Sequence, residues 1–195
     1  FGKNSMNLMT RGIKKIIPAF PLWSNQLIVS GSISGKYKHS VDSETSNGPA
    51  VVYFPTCISR VMGGVTGKKN IPDTFLSVSS KSGIQVIIPQ GIESLCCGQL
   101  FSSKGYNPAY ADKVNETIEK LWTITNGGML PVILDVTSCS HTLQQCRPVL
   151  SDSNKEKYDR LSILDSIDYL HDYVMPACGP VEKKGTVVLH PVCSL

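Results

Sequence analysis

The stretch AVVYFPTC at residues 50–57 decides the fold, because it joins an apolar run of strand length to a cysteine. The apolar run ends at a proline, which is typical of a buried strand. The same arrangement recurs as IQVIIPQGIESLCCG at residues 84–98, VILDVTSC at 132–139 and TVVLHPVC at 186–193. The sequence therefore predicts four strands, each followed shortly by cysteine.

Helical patterns separate these strands. A helix is predicted over Asp73 to Ser82, with Pro72 in its first turn and Gly83 at its end. A second opens at Asn107-Pro108, where Asn suits the cap position. Its predicted buried face comprises Tyr110, Val114, Ile118, Leu121 and Trp122. A third helix is predicted to begin at Ser162, with a buried face of Ile163, Leu164, Ile167, Leu170 and Val174.

Apolar strands that alternate with helices predict a parallel sheet covered on both faces. We expect an α/β fold, a three-layer sandwich of about four strands with right-handed crossovers. The compact domain should span residues 50–195. Residues 1–49 are predicted to be an irregular connector with a helical turn or two over Arg11 to Ile17, followed by a linker rich in Ser, Gly and Asn over Ser30 to Gly48.

The composition excludes several classes of function. The net charge is only +4, and the basic residues are scattered, so the sequence gives little support for nucleic-acid binding. No apolar run approaches the ~20 residues of a membrane span. The seven cysteines are an odd number without signs of secretion, which favours metal or redox chemistry over a disulfide framework.

The carboxyl ends of parallel strands lie along one edge of the sheet, where ligands bind. We therefore expect Cys57, Cys96, Cys97 and Cys139 to converge there, with Cys193 following the last strand. Such thiolates suit zinc or an iron–sulfur cluster. Zinc sites usually contain Cys-x-x-Cys pairs, which are missing here, so the spacing favours a cluster. Two further cysteines, Cys146 and Cys178, are interpreted as small buried hydrophobes.

These cysteine segments resemble a known family. YFPTC at 53–57, LCCG at 95–98 and Cys139 resemble the CCG motif of heterodisulfide reductases, glycolate oxidase iron–sulfur proteins and certain bacterial D-lactate dehydrogenases. The resemblance extends over about residues 50–195. Flanking segments at 57–63, 97–106, 163–166 and 189–195 are similar to the FAD-dependent D-lactate dehydrogenase branch.

The resemblance implies that Cys57, Cys96, Cys97 and Cys139 bind a 4Fe-4S cluster. Gly98 and Lys104 would contribute to cofactor binding, the glycine through its N–H group and the lysine, together with Arg60, through its charge. Cys193 would open a second copy of the motif that is cut off after it. Thr142 stands where the heterodisulfide reductase motif has its last cysteine, which argues against that branch's cluster type and against disulfide reduction.

The resemblance also implies a function. The chain would be part of an oxidoreductase and inactive alone, with no catalytic residue of its own. FAD and ferredoxin-like domains upstream would deliver electrons from D-lactate or glycolate, and a quinone or cytochrome would accept them. The protein would be cytoplasmic or peripheral to the inner face of the membrane. Loss of the second motif could expose an apolar surface and favour a homo-oligomer.

Two other hypotheses remain open. In one, the cysteines hold zinc or nothing, and the domain docks partner subunits. In the other, Cys96 or Cys97 is the nucleophile of a thiol–disulfide enzyme, which ranks last because adjacent cysteines lack Cys-x-x-Cys geometry. His141 and His190 adjoin cysteine segments and are expected to pack or hydrogen-bond there, while a turn or capping role is expected for Asp135.

Overall fold

A parallel four-stranded sheet forms the centre of the fold. The computed structural model describes residues 3–23, 48–61, 69–179, 185–186 and 188. The strands pair in the order β2-β1-β3-β4, all parallel. Their bounds are β1 Ala50–Phe54, β2 Gln85–Ile87, β3 Val132–Leu134 and β4 Ile163–Asp165.

The helices of the described residues precede, connect and follow the strands. They are α1 Lys3–Ile16, α2 Cys57–Val61, α3 Ile71–Lys81, α4 Gln99–Ser102, α5 Asn107–Ile124, α6 Thr137–Gln144, α7 Asp152–Tyr158, α8 Ser166–Tyr169 and α9 Met175–Cys178. Short 3₁₀ turns occupy Ile92–Ser94 and Arg147–Val149, and a π turn over Leu170–Val174 joins α8 to α9.

The two faces of the sheet carry separate apolar clusters. On one face, Val52, Phe54 and Leu134 pack with residues of α5 and α6. On the other face, Val51 and Tyr53 pack with α3 and with the helical segment after β4. Alternate residues of one strand thus reach opposite layers, as the pleat requires. The predicted three-layer α/β sandwich is confirmed.

The predicted helix after residue 70 is confirmed in its details. Asn70 caps α3, because its side-chain oxygen accepts a hydrogen bond from the Asp73 N–H at 2.7 Å. Pro72 lies in the first turn. Gly83 follows the helix with φ +70°, a left-handed conformation that glycine adopts without strain.

The long helix α5 has the predicted buried face, with Trp122 as an exception. The apolar residues at its other predicted face positions are buried, whereas Trp122 is half-buried and carries the Arg160 guanidinium 4.9 Å from its ring centre. The capping prediction was wrong. Tyr106 holds the cap position and Asn107 is the first helical residue, so the asparagine side chain does not cap the helix.

The prediction of a helix from Ser162 was wrong at its start. Ile163–Asp165 is the fourth strand, paired in parallel with β3, and Asp165 caps α8 by accepting the Ile167 N–H at 2.9 Å. Ile167 is 66% exposed and Leu170 is also exposed, while Ile163 and Val174 are buried. Three residues are too few to show a strand period, so the apolar pair at its start fitted a helix equally well.

Two further sequence predictions can be compared with the structure only in part. The helical turn predicted over Arg11 to Ile17 belongs to the longer helix α1, which begins at Lys3. The strand predicted over Thr186 to Leu189 lies largely outside the described residues. The domain boundary at residue 49 stays a prediction.

Candidate metal centre

The cysteines follow the strands at the carboxyl edge of the sheet. Cys57 is the first residue of α2, directly after β1, and Cys139 lies in the first turn of α6, after β3. Cys96 and Cys97 lie between the 3₁₀ turn after β2 and α4. Cys193 lies outside the described residues.

Three of these thiols, Cys96, Cys97 and Cys139, influence one another and are called the thiol row. Cys97 raises the pKa of Cys96, and Cys139 raises the pKa of Cys97. Residues 96 and 139 are far apart in the sequence, and both follow strand ends at the carboxyl edge of the parallel sheet. The row thus contains three of the predicted ligands, whose role in metal binding stays a prediction.

Backbone N–H groups also point at this row. The Gly98 N–H donates to the Cys96 sulfur at 3.4 Å, and the Gln99 N–H acts to lower the pKa of Cys97. Both donors come from the turn that begins α4. Hydrogen bonds of this kind stabilise thiolates and tune the clusters that thiolates hold.

Gly98 makes this turn possible. Its φ is +79°, in the left-handed region that disfavours residues with a Cβ. A Cβ built there would lie 2.8 Å from Cδ2 of Tyr110 and 3.2 Å from Cγ1 of Val114. The third residue of the CCG motif is therefore fixed both by backbone conformation and by its packing against α5.

In the metal-free state, the Cys96 and Cys97 thiols are held in the protonated form because the pKa of each is raised. Cys97 raises the pKa of Cys96 above its ordinary value, and burial adds to this, while the Gly98 N–H and the Arg60 charge act in the opposite direction. Cys139 raises the pKa of Cys97 to about 11. Because metals bind thiolates, loading this site must release protons.

Arg60 joins the helix of Cys57 to the segment before Cys96. Its guanidinium donates to the Leu95 carbonyl at 2.7 Å and to the Ile92 carbonyl at 3.2 Å. Its Nε is buried and has no partner among the described residues. The arginine thus brings a positive charge to the cysteine segment and leaves one donor available beside it.

Helix α5 fixes the cysteine segment from its other side. The Thr117 hydroxyl donates to the Cys96 carbonyl at 2.9 Å, and the Tyr110 hydroxyl donates to the Thr142 carbonyl of α6 at 3.3 Å. These bonds anchor the backbone on both sides of the thiol row to one long helix.

Two aspartates at strand ends position the flanking helices. Asp135 accepts the Tyr53 hydroxyl at 2.6 Å and the Thr56 N–H at 3.0 Å, which fixes the turn before Cys57. Asp165 accepts the Ser140 hydroxyl at 2.7 Å, beside Cys139. The turn role expected for Asp135 is thus observed.

The remaining candidates stand apart from the row. Cys57 is exposed, and so are Lys104 and His141. Cys146 is fully buried in the core, as predicted, and burial raises its pKa to about 12. Cys178 was predicted to be buried and is exposed, because it ends α9 at the surface.

The donor set of the row fits an iron–sulfur cluster in its chemistry, although it is incomplete as it stands. Thiolates with nearby N–H donors and a half-buried guanidinium suit an anionic cluster. Within the described ranges, however, no three or more Cys, His, Asp or Glu side chains are placed to hold a single metal ion.

Residues 51–144 match the sequence model of the CCG cysteine-rich domain. The matched stretch contains Cys57, Cys96, Cys97 and Cys139. Such domains typically bind iron–sulfur clusters and occur in oxidoreductase subunits, which supports a redox-related role. Comparison of the chain with curated proteins and with solved structures gave no match.

Sequence analysis missed two residues of the site. Gln99 lowers the pKa of Cys97 through its backbone N–H, and its position directly after the glycine turn could have indicated this. Thr117 reaches the Cys96 carbonyl from the middle of α5. No local pattern marks that threonine, because its contact depends on how the helix packs.

A separate cleft of about 270 Å³ lies at the same edge of the sheet. Apolar and aromatic side chains form most of its wall, and Asp135 reaches it after β3. Its lining residues are Lys69, Ile71, Thr74, Phe75, Val78, Asp135, Ser166, Tyr169 and Leu170. Phe75 and Tyr169 pack with Tyr53 on the sheet face that contacts α3, which is called the aromatic face. The cleft therefore does not include the thiol row.

Proposed function

We propose that this chain supplies cysteine ligands of an iron–sulfur centre that carries electrons in a flavin-dependent 2-hydroxy-acid dehydrogenase. The observation that carries the proposal is the thiol row, in which Cys97 raises the pKa of Cys96 and Cys139 raises that of Cys97. Cys57, at the start of α2, is the proposed fourth ligand. When bound, a 4Fe-4S cluster would supply one-electron redox chemistry.

The residues around the row have defined tasks in this proposal. The Gly98 and Gln99 N–H groups would donate to sulfur, and Arg60 would compensate negative charge near Cys96. Core residues on the sheet side exclude water. None of these groups reacts with a hydroxy acid, so the protein's part is to hold, bury and tune the centre.

The surrounding electron path belongs to the same proposal. FAD and ferredoxin-like domains upstream would pass electrons from D-lactate or glycolate to this centre, and a quinone or cytochrome would receive them. Cys193 would contribute to a second copy of the motif. The resemblance of the segments at 57–63, 97–106, 163–166 and 189–195 to that dehydrogenase branch supports this assignment, with a cytoplasmic location as part of it.

A structural docking domain with zinc or no metal is the second candidate. The observation in its favour is that Cys57 is exposed and takes no part in the thiol row. In this case the row would be a packed cluster of thiols, and the domain would act by binding other subunits.

Metal analysis of anaerobically purified and reconstituted protein separates the two candidates. Iron with matching sulfide, together with visible absorption, supports the electron-transfer proposal. Zinc, or no metal after reconstitution, contradicts it and supports the docking domain.

The exposed cysteines offer a matched test of the fourth ligand. Cys57→Ser should lower iron and sulfide content, whereas Cys178→Ser, also at an exposed cysteine, should leave both unchanged. Equal iron content in the two variants would remove Cys57 from the ligand set.

A further inference from the structure

The N-terminal helix α1 presents an apolar face that none of the described residues covers. Leu8 is 76% exposed and Ile16 is 84% exposed, and Met9 between them is exposed as well. With 3.6 residues per turn, these three side chains fall within about 100° of the helix surface. Leaving such a face in water is unfavourable, so it indicates a binding surface.

The segment after α1 covers a different side of the helix. The Trp23 N–H donates to the Thr10 hydroxyl at 3.1 Å, and Thr10 is buried. Ile17 and Leu22, on this returning segment, are exposed. They extend the apolar surface rather than cover it.

The charges of α1 have one sign. Arg11, Lys14 and Lys15 are exposed, and residues 3–23 contain no Asp or Glu. By helical geometry these basic residues lie beside and opposite the face of Leu8 and Ile16. An apolar face with basic flanks matches a surface that is itself apolar and negatively charged.

We infer that α1 lies on the surface of an anionic lipid bilayer, with Leu8, Met9 and Ile16 inserted and Arg11, Lys14 and Lys15 among the lipid headgroups. Helices of this type bind in the plane of the interface. Among the described residues no helix is long and apolar enough to cross the bilayer, and α1 with 14 residues is too short. The inference rests on α1 alone and is independent of the cysteine site.

Vesicle co-sedimentation of the full chain tests the inference. Vesicles of phosphatidylcholine with about one third phosphatidylglycerol should bind about a hundredfold more tightly than phosphatidylcholine alone, since each of three basic residues contributes on the order of 1 kcal/mol. High salt should remove most of the difference. Equal binding to both vesicles, or binding to neither, overturns the inference.

Matched variants identify the surface. Ile16→Ser should weaken binding about tenfold through lost apolar burial, whereas Met129→Ser, at an apolar residue that is 69% exposed elsewhere, should not. Lys15→Gln should weaken binding about fivefold, and Lys81→Gln should not. All four residues are exposed, so circular dichroism should show unchanged folding.

The same measurements distinguish a lipid bilayer from other binding partners of the apolar face of α1. If a second copy covers α1, light scattering shows a dimer that Ile16→Ser dissociates, and vesicles fail to bind. If the control variants weaken vesicle binding as strongly as the α1 variants, the surface lies elsewhere. Either result contradicts the inference.

Discussion

The two faces of the sheet differ in what they are built to hold. The face against α5 and α6 carries the thiol row, with Cys97 and Cys139 as members of its apolar cluster. The opposite face has an aromatic stack in which Phe75 lies 4.1 Å from the Tyr53 ring and 5.0 Å from the Tyr169 ring. One face thus offers soft sulfur ligands, and the other offers stacked aromatic rings and a cleft.

The two faces of the sheet meet at the strand ends. One sheet can therefore support both the thiol row and the aromatic stack. Asp135 bonds Tyr53 of the aromatic face and the turn before Cys57. The carboxyl edge therefore positions the site, while each layer supplies its own chemistry. Substitutions on each side of the sheet test this division.

Gly98→Ala should be the most damaging change on the thiol side. It combines a left-handed backbone, which costs about 1–2 kcal/mol, with overpacking against Tyr110, which costs about 1–3 kcal/mol. Gly105→Ala is the control, because its φ of +75° is similar but its Cβ meets nothing within 4 Å. Urea denaturation should show a clearly larger loss for Gly98→Ala; equal losses would mean that packing on α5 does not fix the turn.

Asp135→Asn tests the connection between the two faces. The amide oxygen can accept one of the two hydrogen bonds, but the NH₂ group cannot accept the other, so about 1.5–3 kcal/mol of the free energy of unfolding should be lost. Asp168→Asn, at an exposed position in α8, should change it by less than about 0.5 kcal/mol. Similar stability of the two variants would refute the connecting role.

Tyr169→Phe tests the aromatic face alone. It removes a hydroxyl that donates to the buried Ser79 hydroxyl at 2.7 Å, so the free energy of unfolding should fall by about 1 kcal/mol. Iron content after reconstitution should stay that of the wild type, because the residue lies across the sheet from the thiols. Loss of iron in this variant would show that the two faces are not independent.

The pH dependence of the metal-free protein should report the thiol row. The folded-state pKa of Cys97, about 11, lies above the ordinary value, so its stabilisation is complete below about pH 8.5 and is lost as the pH rises through about 11. Urea unfolding over this range should show the decline. Cys139→Ala removes the largest cause of the shift, and the decline should become smaller; an unchanged profile would mean that Cys97 and Cys139 do not interact.

Much of the fold was predictable from the sequence, because long apolar runs and helix signals are local. The strand at residues 50–54 and the glycine after α3 show this. The fourth strand was not predictable, because β4 has only three residues and is defined by its pairing with β3. Strand identity there depends on contacts that no local pattern encodes.

The candidate site, like the fold, was only partly predictable from the sequence. The placement of Cys96, Cys97 and Cys139 at the carboxyl edge followed from parallel topology, and the glycine in CCG was recognisable as part of the motif. The contacts of Thr117 and Asp165 were not predictable, because they depend on packing between elements. The exposure of Cys57 and Cys178 likewise results from where their helices lie.

The most direct test of the central claim compares two buried cysteines in the same apolar cluster. Cys97 belongs to the thiol row, whereas Cys146 does not. After anaerobic reconstitution, Cys97→Ala should lose visible absorption, iron and sulfide, while Cys146→Ala should keep all three despite some loss of stability. Equal cofactor content in the two variants would contradict the account that the row of Cys96, Cys97 and Cys139 holds the cluster.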